Sequence, residues 1–182
     1  MPTIERVRDT DFASLEQLVE TTFVETWTGL VHEDHIRQHL LDGHAKHMID
    51  MFGRDGNADI LVVRDETELV GYAIGYIPDC QSTPRYYKLE KLYLRSAFQG
   101  TGIGSELWDQ MMELGVAAGA DGVMLTHYPH NERASRFYQR LGLKKVDETV
   151  YQCGDGEYRD WVMAANWSDL RVASRSKEVM AE

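Results

Sequence analysis

The run Gln99-Gly100-Thr101-Gly102-Ile103-Gly104 constrains this chain more than any other feature, because it sits between a strand-like segment and a helix-like one. Residues 88–94 before it read as a strand. After it, Ile103, Leu107, Met111, Leu114 and Ala118 form one apolar stripe at helical spacing. A glycine-rich turn in that place aims backbone N–H groups at an anion, and the helix dipole adds a favourable field. The plainer alternative is a tight turn that needs glycine only for its φ angles. Two phosphate-binding patterns fail on the residues present. A P-loop needs Lys-Ser/Thr after its last glycine, and here Ser105-Glu106 follow Gly104. A dinucleotide fingerprint would align Gly100, Gly102 and Ser105, losing its third glycine, and the nearest acid, Asp121, lies before the next strand.

The remaining periodicities set the architecture. Residues 3–8 alternate as a short strand, and Asp9-Thr10-Asp11 supply cap-type residues before a helix with Phe12, Leu15, Leu18 and Val19 on one face. A second helix is expected over residues 31–41, with Ile36, Leu40 and Leu41 on its apolar side. Residues 60–64 and 68–76 read as strands joined by Asp65-Glu66-Thr67, and residues 78–84 as a polar, turn-rich break. Gly119 closes the long helix. A strand at 123–126 and a helix at 132–141, ended by Gly142, come next. Strands at 144–153 and 158–163 share the turn Gly154-Asp155-Gly156. The order βααβββαβαββ implies an α/β fold with an open mixed sheet covered by helices, not a doubly wound parallel sheet. One domain is expected over residues 1–167, followed by a C-terminal tail, 168–182, that frays from Ser174.

The glycine run fits one further pattern at every specified position: the Gln/Arg-x-x-Gly-x-Gly/Ala signature of the GNAT acetyltransferases. Leu92-Tyr93-Leu94 resembles the strand end that precedes that signature in the family, and Phe98 takes its usual aromatic place. A second block, Asn131-Glu132-Arg133-Ala134-Ser135-Arg136-Phe137-Tyr138 with Leu141-Gly142-Leu143, resembles the family's Asn-x-x-Ala-x-x-Phe-Tyr followed by Gly-Phe. The departure is Leu143, where an aromatic is commoner; it touches packing and not chemistry. The resemblance covers residues 60–164. It implies the GNAT acyl-CoA N-acyltransferase fold, with a central mixed, mostly antiparallel sheet flanked by helices, and acetyl-CoA as cosubstrate. It implies that the backbone amides of Gln99, Gly100, Thr101, Gly102, Ile103 and Gly104 hold the pyrophosphate. Leu92, Tyr93 and Leu94 would lie along the pantetheine arm like an added strand, and the family often dimerises.

Acetyl transfer to an amine needs a neutral nucleophile, a stabilised oxyanion and a proton for the departing thiolate. By resemblance Tyr138 is the acid that reaches the sulfur, and Asn131 bonds the pantetheine arm or a neighbouring backbone group; the plainer roles are core packing and a helix N-cap. Strand alternation puts Glu90 on one face with Leu92 and Leu94, and Leu89, Lys91 and Tyr93 on the other. An acid among leucines is costly unless paired or functional. Glu90 is therefore either the proton relay seen at this spacing in amine-acetylating relatives or one half of an ion pair.

Charge and composition bound the partners. A net charge of -11 excludes a phosphate-tracking nucleic-acid binder and favours a cationic partner. No run is long and apolar enough for a membrane span. Cys80 and Cys153 match no metal or redox spacing, so a reducing cytoplasm is expected. The cluster His32, His35, His39, His44 and His47 includes an i, i+4 pair that zinc could use, but no hydrolase signature frames it and no metal is expected. In the family, the first two helices shape the acceptor pocket; here that is residues 23–39, with Glu25, Trp27, Glu33 and Asp34. The stretch around Tyr86 to Tyr93 resembles polyamine acetyltransferases, so a small cationic amine is the expected acceptor. A protein α-amine or lysine, and a non-catalytic coenzyme-binding module, are the alternatives.

Overall fold

The computed structural model describes residues 1–54, 57–79 and 83–171. The strands are β1 (Thr3–Arg6), β2 (Asp59–Asp65), β3 (Glu68–Tyr76), β4 (Tyr86–Leu94), β5 (Gly122–His127), β6 (Lys144–Cys153) and β7 (Gly156–Asn166). The helices are α1 (Phe12–Trp27), α2 (Glu33–Leu41), α3 (His44–Ile49), α4 (Ile103–Ala117) and α5 (Glu132–Arg140). The strands form one sheet in the order β1-β2-β3-β4-β5-β7-β6. Only β4 and β5 run parallel, joined through α4; every other neighbouring pair is antiparallel. The mixed, mostly antiparallel sheet expected from the sequence is therefore present. Sequence order did not reveal that β7 slots between β5 and β6.

Each face of the sheet carries its own core. On one, Leu107, Met111 and Trp108 of α4 pack with Leu89, Leu94, Val123 and Leu125, and Tyr138 and Leu141 join from α5 and the turn after it. On the other, Leu15, Leu18 and Val19 of α1 and Met48 and Ile49 of α3 cover Val62, Tyr72 and Ile74. A smaller cluster, Phe23, Trp27, Ile36 and Cys153, fills the space between the end of α1, α2 and the β6–β7 hairpin.

Four expectations are corrected. Ala118 is exposed, because it caps α4 just where the chain leaves through Gly119 (φ 75°); buried Trp108 and Met112 widen the stripe instead. Leu41 is 74% exposed and His39 takes its place beside Ile36, since α2 leans its His39 edge onto Phe23 (ring centroids 4.5 Å apart). Helix α3 was not expected: one short turn and a half, running into a π-helical turn at Asp50–Arg54, leaves too little periodicity to read. Strand alternation in β4 is broken by a bulge. Lys91 faces Ile74 while Leu89 faces Gly75, so Glu90 has no partner on β3. Leu89 consequently shares the α4 core with Leu92 and Leu94, and Glu90 lies on the side of Lys88 and Lys91. Of the expected tail, Leu170 packs on the core and the Arg171 N–H donates to the Leu141 carbonyl (2.8 Å); the segment from Ser174 lies outside the described residues.

Candidate active site

The glycine loop ends in a left-handed residue, Gly102 (φ 96°), that serves as the N-cap of α4 without a side-chain cap. Gly100 is left-handed as well (φ 80°), and left-handed residues in a turn are the backbone device that lets successive amides converge on an anion. Among the described residues, the N–H groups of Gly100 through Gly104 donate to no protein acceptor. The loop is braced from outside. The Thr101 hydroxyl donates to the Phe98 carbonyl (2.7 Å), and the Gln99 amide donates to the Leu94 carbonyl (3.0 Å). The Gln99 side-chain oxygen accepts from Arg133 of α5. Free amides, a helix N-terminus and Arg133 together suit a diphosphate.

A fork lies next to the loop. Strands β4 and β5 pair only through Tyr86–Gly122, Tyr87–Val123 and Lys88–Met124. Beyond that point β4 follows β3 and β5 follows β7, so the edge of β4 carrying Leu92, Tyr93 and Leu94 faces a gap. The bulge at Glu90 sits where the strands part, and a bulge bends the strand that carries it. An extended chain fits such a gap as an added strand.

Helix α5 closes one side of the fork. The Asn131 side-chain oxygen accepts from the Ala134 N–H (3.2 Å), an N-cap that starts the helix as the residue type suggests. Tyr138, two turns on, is buried against Trp108 (centroids 6.0 Å) and His127 (5.7 Å), and its hydroxyl bonds no described residue. Burial pushes that phenol above its ordinary value, with Tyr93 adding to the effect, so it keeps its proton. The neighbouring His127 Nδ1 is 3.1 Å from the Tyr128 carbonyl while Nε2 is buried without a partner, and burial lowers the imidazole's proton affinity.

Glu90 is held by two lysines, Lys88 at 2.8 Å and Lys91 at 3.3 Å, with the Tyr76 hydroxyl at 3.4 Å. Burial alone would raise its carboxyl, but Lys91 and Lys88 outweigh it and hold it below the usual carboxylate range. Near the fork stands an aromatic wall of which the sequence analysis named Trp27 alone. Trp27, at the end of α1, stacks on Tyr128 (5.6 Å) and on Tyr151 of β6 (5.5 Å), and Tyr128 meets Tyr158 edge-on (5.6 Å). Asp160 of β7 is buried in the same region, and its charge acts on Tyr93, Tyr128 and Tyr151. The available signal was parity: Asp160 is in phase with Tyr158 and Val162 along β7, on the face turned to α1 and α2.

The acetyltransferase (GNAT) family profile matches residues 13–143, the span that holds the loop, the fork and α5. The chain is a GNAT acetyltransferase. The family uses acetyl-CoA, and the free amides and open strand edge of this chain fit that cosubstrate. The chain is 28% identical over 154 residues to an uncharacterized N-acetyltransferase of Mycobacterium bovis, covering 85% of this chain and 96% of that one. It is 31% identical over 99 residues to an uncharacterized N-acetyltransferase of Lactobacillus delbrueckii subsp. lactis, covering 53% of this chain and only 57% of that one. Its fold superposes on the PaiA N-acetyltransferase of Thermoplasma acidophilum, solved in complex with coenzyme A, with a TM-score of 0.74 at 17% identity over 92% of this chain and 99% of that chain.

In this GNAT acetyltransferase the residues expected around the acceptor separate. Glu25 turns to the segment that precedes the glycine loop, where it accepts from the Ser96 N–H (2.7 Å) and lies 3.6 Å from Arg95. Glu33 and Asp34 are exposed on the outer face of α2, with Asp34 paired to Arg37 (3.0 Å); Trp27 alone of the four joins the aromatic wall. The i, i+4 pair His35 and His39 meets two tyrosines that face each other across the hairpin: His35 Nδ1 is 2.6 Å from the Tyr158 hydroxyl, and His39 Nε2 is 3.3 Å from that of Tyr151. Among the described residues no cluster of His, Cys, Asp and Glu could hold a metal ion. The histidines serve instead as the joint between α2 and the hairpin. That joint is close-fitting, since a Cβ on Gly156 would overlap the His35 imidazole. Gly156→Ala should therefore cost about 1–3 kcal/mol. A melting temperature lowered by several degrees checks this, and an unchanged one would contradict it.

Proposed function

We propose that this enzyme transfers the acetyl group of acetyl-CoA to a primary amine of a small cationic molecule of the polyamine type, by direct attack in a ternary complex. The observation that carries this reading is the contact between α2 and the tip of the β6–β7 hairpin. The Cys153 thiol lies 3.6 Å from the His35 carbonyl and Gly154 and Gly156 abut His35, so the two acceptor-side walls touch. A cleft closed in this way suits a short molecule better than a polypeptide threading through. The net charge of -11 supports a cation. One relative, 29% identical over 94 residues, is the thialysine N-epsilon-acetyltransferase of Bos taurus; the match spans 55% of that protein.

In this reading the loop amides and Arg133 hold the pyrophosphate, and Leu92, Tyr93 and Leu94 line the pantetheine in the fork. The amine nitrogen attacks the acetyl carbonyl, the C–N bond forms, the C–S bond breaks, and Tyr138 supplies the proton taken by the sulfur. Glu90 relays the amine's proton through water; its lysine partners keep it ionised, so it accepts only in passing. No helix among the described residues is long and apolar enough to cross a membrane. The buried free thiol of Cys153 suits a reducing cytoplasm. The edge strand β6 exposes Val146 and Val150, a surface that a second copy could cover as a homodimer.

The test is thiol release from acetyl-CoA with polyamines, aminoglycosides, amino acids and short peptides. Turnover concentrated on diamines and polyamines is the expected result. Turnover on peptides alone would replace the acceptor class, and coenzyme binding without turnover on any amine would replace the enzyme with a binding module.

A further inference from the structure

The aromatic wall holds a buried carboxylate oxygen that no described residue satisfies. The Asp160 carboxyl is 6% exposed, and its Oδ1 has no hydrogen-bond partner among the described residues, whereas the Trp27 indole N–H is turned to the Tyr93 hydroxyl. Lys91, whose charge acts on Asp160, is already engaged by Glu90 at 3.3 Å. Leaving a carboxylate oxygen buried and unpaired costs free energy that only a donor can return. The surrounding rings define the donor's chemistry. Trp27, Tyr128 and Tyr151 are stacked with centroids 5.5–5.6 Å apart, and such faces attract a cation. Tyr128, Tyr151 and Tyr158 are partly exposed, so the recess is open to a ligand. Tyr128 of the recess directly follows His127, whose ring packs on Tyr138 (centroids 5.7 Å apart), so the recess adjoins the fork where the acetyl group would lie.

We propose that Asp160, with the rings of Trp27, Tyr128 and Tyr151 around it, is the binding site for the acceptor's ammonium group. This rests on the small-amine reading above and names the residue that would confer it. The alternative is a structural carboxylate satisfied by a buried water.

Stability separates the two. Burial pushes the Asp160 carboxyl up from 3.8 to about 6, against the pull of Lys91. A carboxyl whose folded value is raised destabilises the folded chain once pH exceeds the unfolded value, and the loss is complete above the folded one. A ligand-binding Asp160 therefore weakens the ligand-free protein at pH 7, and Asp160→Asn should raise its melting temperature by about 5 °C. A structural carboxylate would give the opposite sign.

The experiment uses the full chain with 1,4-diaminobutane and n-butylamine as probes. Asp160→Asn should raise the KM for 1,4-diaminobutane by about 30-fold, with the KM for acetyl-CoA unchanged. Calorimetric binding of the diamine to the coenzyme-loaded protein should be lost. Tyr128→Leu should weaken that binding by about 3–10-fold. An unchanged amine KM in Asp160→Asn, a lowered melting temperature, or a wild-type protein that binds neither probe would each overturn the site. Amine binding that depends on Asp160 without any turnover would uphold the site while overturning the acetyltransfer reading.

Discussion

Gly102→Asp is expected to abolish measurable coenzyme binding in a protein that still folds. Two effects act together. Gly102 has φ 96°, a left-handed backbone that costs a residue with a Cβ about 1–2 kcal/mol. The new carboxylate would also stand beside the amides proposed to hold a diphosphate. Like charges about 4 Å apart at a protein surface repel by about 4 kcal/mol, and with the strain included affinity should drop by more than about 1,000-fold. Gly102→Ala separates the two causes, because no heavy atom lies within 4 Å of the Cβ it adds. Alanine should lower the melting temperature slightly and retain most of the binding. Calorimetry with coenzyme A, alongside a thermal melt, reads both variants; an aspartate variant that folds and binds would remove the loop from the site.

Tyr138→Phe is expected to lower kcat by about 100-fold or more while leaving the KM for acetyl-CoA within about threefold. The phenylalanine ring preserves the packing against Trp108 and His127, and the hydroxyl it lacks bonds no described residue, so stability should hold. The burial that raises the Tyr138 phenol equally disfavours a bare thiolate in the same recess, so the phenol remains a fitting donor to the departing sulfur. An unchanged kcat in steady-state assays would leave Tyr138 as a packing residue.

How much of this was legible in the chain depends on how local each signal was. The glycine loop could be read because its shape lies in the backbone: the φ angles at Gly100 and Gly102 and the start of α4 are fixed within a few residues. Asn131 was legible for the same reason, since its side chain caps the helix that follows it directly. The alternation argument for Glu90 failed because a bulge is a one-residue irregularity with no mark in apolar periodicity. It moved Leu89 to the face of Leu92 and turned Glu90 toward Lys88 and Lys91. The i, i+4 spacing showed that His35 and His39 share one side of α2, but not that this side meets Tyr158 and Tyr151 of the distant hairpin.

The sequence by itself determined the order of the strands and longer helices, the glycine turn that starts α4 and the family of the chain, all written in contiguous residues and short-range periodicity. Tertiary structure alone decided the placement of β7 between β5 and β6, the fork beyond Lys88 and Met124, and the recess that joins Trp27, Tyr128, Tyr151 and Asp160. These are contacts between segments more than a hundred residues apart in the chain at their widest, Trp27 to Tyr151. Their energy comes from burial and pairing that no local pattern encodes.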